Sequence, residues 1–288
     1  MRKLLYCFIG IALMTTLFTG CQNAFPQVEN PNLSKTENIY AMSVKYTAEN
    51  EGAGSYLEIA QRSDALFRLL EENTDAFVMD AYNYQSIDNE GTMVYTQNTL
   101  SLPIEIDAGG YCIRVSKNYF KFNPIVTVSG ETIESRMISE DNTLNILVPE
   151  KYKTHESDII AEYLELFYFE KVEVDNIHLE ETQQPLSEIT PNDLSVNIIY
   201  VKDGQDYFTY RTDLAQNTQN MITDPIVVLY TGNIHVSYAH SLMSQFVYFF
   251  SEETTSEAAY ACILPYIQQL NAEDSFQKVS LVKELFLN

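Results

Sequence analysis

Four histidines, His155, His178, His235 and His240, are the imidazoles available for acid–base or metal chemistry in this 288-residue chain. His235 and His240 stand five residues apart with no Glu between them, which is not the i, i+4 pair of a helical zinc site. Their spacing predicts surface or core roles and no metal centre. No Gly-x-Ser-x-Gly elbow is present to expose a nucleophilic serine. Gly52-Ala53-Gly54-Ser55 sits where a helix should begin. It lacks the third Gly of a dinucleotide fingerprint and the Lys of a phosphate-binding loop, so it reads as a capped turn. Asp and Glu total 40, but Ser139-Glu140-Asp141-Asn142 is too short for a calcium loop and has no Gly. Glycosidase chemistry needs two carboxylates at a defined separation in space, which spacing along the chain does not supply. The expectation is a protein with no enzymatic activity, no cofactor and no metal. A surface hydrolase stands last among the alternatives.

The charge balance narrows the partners. Lys and Arg number 17 against the 40 acids, for a net charge of −23. A surface this acidic repels phosphate backbones, which excludes nucleic acid, and it does not dock electrostatically on anionic lipid. The first twenty residues point to another route to the membrane. Arg2 and Lys3 precede the apolar run Leu4 to Leu17, which is shorter than the about 20 residues a membrane-spanning helix needs. The run ends in Leu17-Phe18-Thr19-Gly20-Cys21, which resembles a bacterial lipobox, with Phe18 where an aliphatic residue is usual. The resemblance implies cleavage after Gly20 and acylation of Cys21. Two acyl chains, each CH₂ contributing about 0.8 kcal/mol, would anchor the protein stably on the extracellular face of the cell membrane. Residues 21–38, with Pro26, Pro31 and several Asn, then read as a flexible tether. Cys112 and Cys262 are expected to be buried free thiols, with a disulfide as the alternative.

The body of the chain reads as α/β (α+β), with mixed sheets and flanking helices. Ile39 to Tyr46 and Ala76 to Tyr84 are strand-like, and a helical period runs between them from Ser55 to Glu72. Thr92 to Thr96, Ile104 to Ile106, Tyr111 to Val115 and Ile125 to Val128 are further short strands. The pattern restarts with strand Leu144 to Val148, a helix from Thr154, and a strand over Val172, Val174 and Ile177. Leu194 to Val201 and Tyr207 to Tyr210 flank Asp203-Gly204 as a hairpin, and Ile226 to Tyr230 is a buried strand. Helices are expected over Ala239 to Phe250, over Ala258 to Leu270 with a kink or break at Pro265, and over Phe276 to Phe286. Two similar α/β subdomains follow from this reading, 39–140 and 141–288.

Tyr163, Phe167, Tyr168 and Phe169 form one aromatic cluster, which reads as core. Phe246, Val247, Tyr248, Phe249 and Phe250 are consecutive, and one helix face cannot bury all five. Tyr238, Phe246, Tyr248, Phe249 and Phe250 are therefore the expected partner-binding residues.

Several ordered phrases carry a family resemblance. They are Leu144-Asn-Ile-Leu-Val-Pro-Glu-Lys-Tyr152, Glu162-Tyr163 to Phe169, Lys171 to Asp175, Ser195 to Tyr200, and Ile222 to Asn233. Over roughly residues 39–288 the chain resembles the extracellular region of the bacteriocin-associated integral membrane proteins of Gram-positive bacteria. These are immunity or export permeases related to ABC permeases of macrolide-exporter type. The resemblance implies that fold and brings no catalytic residues. Members of the family continue into membrane helices, and nothing after residue 20 here is apolar enough to span a bilayer. The resemblance thus implies a free-standing lipoprotein form of the extracellular domain, or a truncated remnant of the permease. The expected role is a non-enzymatic binding or accessory component of a bacteriocin export or self-immunity system. The acidic surface would attract a cationic peptide. The alternative is a structural partner docking on an ABC permease through Tyr238 to Phe250 and the last helix.

Overall fold

A computed structural model describes residues 31–44, 53–84, 102–215 and 218–287; Cys21 and the expected strand Thr92 to Thr96 lie outside them. The chain from Pro31 onward forms one compact unit. In chain order the elements are β1 (Ile39–Val44), α1 (Ala53–Asn73), β2 (Phe77–Asp80), β3 (Cys112–Val115), α2 (Tyr119–Phe122) and α3 (Ile133–Arg136). Then come β4 (Thr143–Pro149), α4 (Glu156–Tyr168), α5 (Val174–Glu181), β5 (Ser195–Val201), β6 (Asp206–Phe208), β7 (Met221–Thr223) and β8 (Ile226–Leu229). The chain ends with α6 (Val236–Gln245), β9 (Val247–Phe250), α7 (Ser256–Gln269), β10 (Phe276–Leu281) and α8 (Val282–Leu287). This is the mixed α/β class that the periodicities predict.

Eight strands make one mixed sheet in the order β10-β1-β9-β2-β3-β8-β4-β5. β3 and β8 run parallel, as do β4 and β5, and every other neighbouring pair is antiparallel. The expected division at residue 140 does not hold. β9 and β10, from the C-terminal end, pair with β1 and β2 from the N-terminal end. Strands from both ranges therefore alternate in one sheet over a shared core. The described end of the expected tether also belongs to this body. Leu33–Thr36 is a 3₁₀ turn with Thr36 buried, and Lys283 on α8 pairs with Glu37 at 3.2 Å.

The period of two assigns each strand residue to a face. Phe77, Met79, Ile113, Val115, Leu147, Val227, Leu229 and Tyr248 pack on one side, with residues of α2, α3, α8 and the β6–β7 ribbon. On the other side Tyr40, Val78, Val247 and Phe249 meet α1, α6 and α7, while Leu144, Ile146, Val148, Ile226 and Val228 meet α4. Helices therefore cover both faces, which is why the central strands read as unbroken apolar runs.

Several local expectations change, each for a physical reason. Residues 247–250 form strand β9 in the sheet rather than the end of a helix. Consecutive apolar residues suit a strand that is buried on both faces, and Phe246, Tyr248 and Phe249 are all under 4% exposed. Phe250 is partly buried against Phe122, with ring centroids 6.1 Å apart. Phe246, Tyr248 and Phe249 belong to the core, and Phe250 packs against it, so the segment is not the exposed helix face expected for partner binding. Phe276–Leu281 is edge strand β10, and only Val282–Leu287 is helical. Val172 and Val174, read as strand, are instead inward positions of a continuing helix.

β6 pairs with β7 in a separate ribbon, not back onto β5, although Gly204 does make the turn with φ +74°. Residues 102–107 form turns, not a strand, organised by Asp107, whose carboxylate accepts from the Leu102 and Gly109 amides. Thr127 makes one isolated bridge to Val201 in place of the strand expected over Ile125 to Val128. α7 runs continuously through Pro265, capped by Thr255, whose Oγ1 accepts from the Ala258 amide at 3.2 Å. Cys112 and Cys262 are both free thiols, the first half-buried and the second exposed, so only Cys112 approaches the expected burial.

Candidate functional site: a polar groove at one end of the sheet

The polar groups converge where β3 and β8 end and β4 begins. Ligand sites of open α/β sheets lie beyond the carboxyl ends of parallel strands, and β3 and β8 are such a pair. β8 is a fully buried apolar strand, so the first residues able to carry polar chemistry are those that follow it, Tyr230 to His235. Gly232 adopts φ +76°, and a Cβ there would lie 2.5 Å from Nη2 of Arg68. The same Arg68 nitrogen donates to the Gly232 carbonyl at 3.1 Å, so a side chain at 232 would be strained by the positive φ and would displace the Arg68 guanidinium.

The opposite wall is a long helix with a defect. α4 continues into α5 through a π-helical turn, Phe169–Glu173. One widened turn shifts the side chains that follow, and such turns concentrate at functional sites. Here the turn sends Glu170 inward, where both carboxylate oxygens accept from Nη2 of Arg114 at 2.6 and 2.7 Å. The side chains of this pair are 12% and 6% exposed. Arg114 lies opposite Asp80 across the β2–β3 ladder, and its guanidinium is 5.8 Å from the Tyr238 ring centroid. Burial holds the Asp80 carboxyl above its usual range, opposed by Arg114. The Glu170 carbonyl accepts from the His235 amide at 3.1 Å, which fixes the β8–α6 loop to the π turn.

Next to Glu170, Lys171 points toward the groove. Its Nζ donates to Asp141 Oδ2 at 2.6 Å and to the Asn233 carbonyl at 3.0 Å. Two turns further on, His178 stacks on His235, with ring centroids 4.7 Å apart and planes 12° apart. His235 also caps α6. Its Nδ1 accepts from the Ser237 amide at 3.3 Å and lies 2.7 Å from the Ser237 hydroxyl.

These groups line a cleft of about 350 Å³ between α1, α5 and the β8–α6 loop. A second cleft, about 390 Å³, adjoins it and is lined by Arg68, Glu71, Lys117, Ile138, Glu140 and Tyr230 among others. Both share Asp141, Gly232 and Asn233, so they form one groove across the end of the sheet. Its cations are already engaged: Arg68 with Asp64 at 2.8 Å, Lys117 with Glu71 at 3.5 Å, and Lys171 with Asp141.

Two other arrangements could pass for nucleophilic centres. Ser63 Oγ is 2.9 Å from His240 Nδ1, but the hydroxyl also donates to the Ile59 carbonyl at 2.9 Å. A hydroxyl has one proton, so the imidazole must be the donor in the first contact, the reverse of what activation requires. Ser63 is fully buried as well, and burial lowers the His240 pKa. At Ser237 the polarity is correct, but the serine is not among the cleft residues, and Asp175 Oδ1 is 3.8 Å from His235 Nε2, beyond a hydrogen bond. That contact builds a helix cap.

Of the expected partner residues, Tyr238 is half-buried with its ring 5.8 Å from the Arg114 guanidinium, and none is among the residues that line the groove. His178, His235, Lys171, Asp141 and Asn233 come together only in the fold. The sequence signal that could have located them is Thr231-Gly232-Asn233, directly after an unbroken apolar strand. No group of three or more His, Cys, Asp or Glu able to hold a metal occurs among the described residues. No helix among them is long and apolar enough to cross a membrane. No protein-family model, no curated protein and no solved structure matches the chain.

Proposed function

We propose that this chain is a lipoprotein of the outer face of the cell membrane, held there through Cys21, and that its folded body is a binding or accessory component of a bacteriocin export or self-immunity system. The groove at the end of the sheet is the observation that carries the reading. It offers Glu140, Asp141 and Asp175 carboxylates beside the apolar side chains of Leu57, Leu179 and exposed Ile138. That mixture suits a cationic amphipathic peptide, and the net charge of −23 would steer such a peptide toward it. Screening acts over about 8 Å at physiological salt, so binding should be strongest at low ionic strength. Fluorescence anisotropy with a labelled synthetic Lys/Leu amphipathic peptide tests this. Affinity should fall at least tenfold between 50 and 500 mM salt, on the order of 1.4 kcal/mol, and fall again in Asp141→Asn/Asp175→Asn. Salt-independent binding, or none, overturns the reading.

A second reading, docking on an ABC permease, loses the segment Phe246 to Phe250, which is core. It keeps α8, where Leu285 and Leu287 are 46% and 53% exposed. Leu285→Asp with Leu287→Asp should then abolish recovery of the protein with a membrane complex, and unchanged recovery removes the idea.

A further inference from the structure

The His178–His235 contact joins two elements that have no covalent reason to stay together, α5 and the N-terminus of α6. The rings stack at 4.7 Å and their side chains are only 16% and 6% exposed. The neighbours of His235 fix its tautomer. The Ser237 amide can only donate, so Nδ1 must present its lone pair, and the neutral ring carries its proton on Nε2. A second proton can therefore enter only at Nδ1. There it removes the bond from the Ser237 amide and turns the hydroxyl contact around, so the α6 cap is lost. The same proton places a cation against the face of a second imidazole.

The charges facing the stack come from each element around it. On α5, Asp175 Oδ1 lies 3.8 Å from His235 Nε2, and Glu181 Oε2 lies 3.8 Å from His178 Nδ1. From the π turn, Lys171 lines the same cleft, bonded to Asp141 of the segment before β4, while Glu170 faces away onto Arg114. α1 contributes uncharged Leu57 and Gln61. The carboxylates favour a protonated ring; burial and the neighbouring imidazole oppose it. The opposition prevails, and His235 is held below the ordinary imidazole value of 6.5, burial being the first cause and His178 the second.

We propose that the His178–His235 stack is a pH-operated latch, which holds α5 on the capped end of α6 and fixes that wall of the groove until acidification releases it. The latched form binds fewer protons than the released form, so latching is fully supported above the ordinary imidazole range and weakens as pH falls through it. One pH unit below 6.5, a single histidine can shift the balance by at most about tenfold. The latch does not depend on which ligand the groove takes.

Hydrogen exchange of the full chain at pH 7.5 and 5.5, corrected for intrinsic rates, reads the latch directly. Protection of residues 236–239 and of α5 should drop up to about tenfold at pH 5.5 in the wild type. His235→Asn should remove that dependence, because Asn caps a helix and does not titrate. Equal protection at both pH values in the wild type, or the same loss in His235→Asn, overturns the proposal. Should His235→Asn fail to fold, an NMR titration of the wild-type ring decides: a His235 midpoint at or above 6.5 overturns the latch, and one below supports it.

Discussion

Two regions of the molecule handle polar atoms in opposite ways. Around Phe77 the sheet carries an aromatic layer: the Tyr119, Phe122, Tyr210 and Tyr248 rings all lie 5.1–5.9 Å from it. Two of the tyrosine hydroxyls each meet a single hydrogen-bond partner. Tyr119 donates to the Phe208 carbonyl, and Tyr210 accepts from Asn123. At the end of the sheet, by contrast, charges meet in pairs around an open groove, and only Arg114–Glu170 is deeply buried. The aromatic layer gains from area and shape, which tolerate no gap. The groove gains little per pair and keeps groups in reach of a ligand.

Breaking the aromatic layer should therefore cost most. Phe77→Ala leaves a cavity among four rings and is expected to destabilise by about 3–5 kcal/mol, measured by urea unfolding. A loss below about 1 kcal/mol would mean that the layer collapses freely and the comparison fails. Glu170→Ala strands the Arg114 guanidinium and should cost about 3 kcal/mol, whereas Lys121→Ala, at a half-exposed pair with Asp75, should cost under about 1 kcal/mol. Equal effects in the two variants would erase the distinction between buried and rim charges. Tyr207 sharpens the aromatic side from the opposite direction. Its hydroxyl is buried with no hydrogen-bond partner among the described residues, so Tyr207→Phe should be neutral or stabilising, within about 1 kcal/mol. The smallest effect concerns chemistry, not stability. Burial pushes the Cys112 thiol up to about 12, while Cys262 is exposed on α7. Iodoacetamide at pH 8 should modify Cys262 first and leave Cys112 largely intact, as peptide mapping would show.

How far the sequence could be read depended on whether local pattern and burial agreed. Leu144 to Val148, Leu194 to Val201 and Ile226 to Tyr230 were legible because β-branched runs bounded by turn residues have one reading. Phe246 to Phe250 was not. A short, wholly apolar run fits a buried helix turn and a central strand equally, and only pairing with β1 and β2 resolves it. Val172 and Val174 alternate like a strand, yet the helix running through them buries both. The interleaving of the two halves was equally hidden, since non-consecutive strands leave no trace in local spacing. The candidate site suffered most from this. His178 and His235 are 57 residues apart in the chain, and no period links them.

Composition, the acidic balance, the lipobox-like start and most element types are properties of neighbouring residues, so the chain alone determines them. Which strands pair, which aromatic residues are core and which polar groups share a groove depend on contacts between distant segments. Those contacts exist only once β8 is enclosed by β3 and β4 and the π turn has brought α5 against the start of α6. Burial then decides the chemistry: the same imidazole that is an isolated polar residue in the sequence becomes, beside a second ring and away from water, a group that resists its proton.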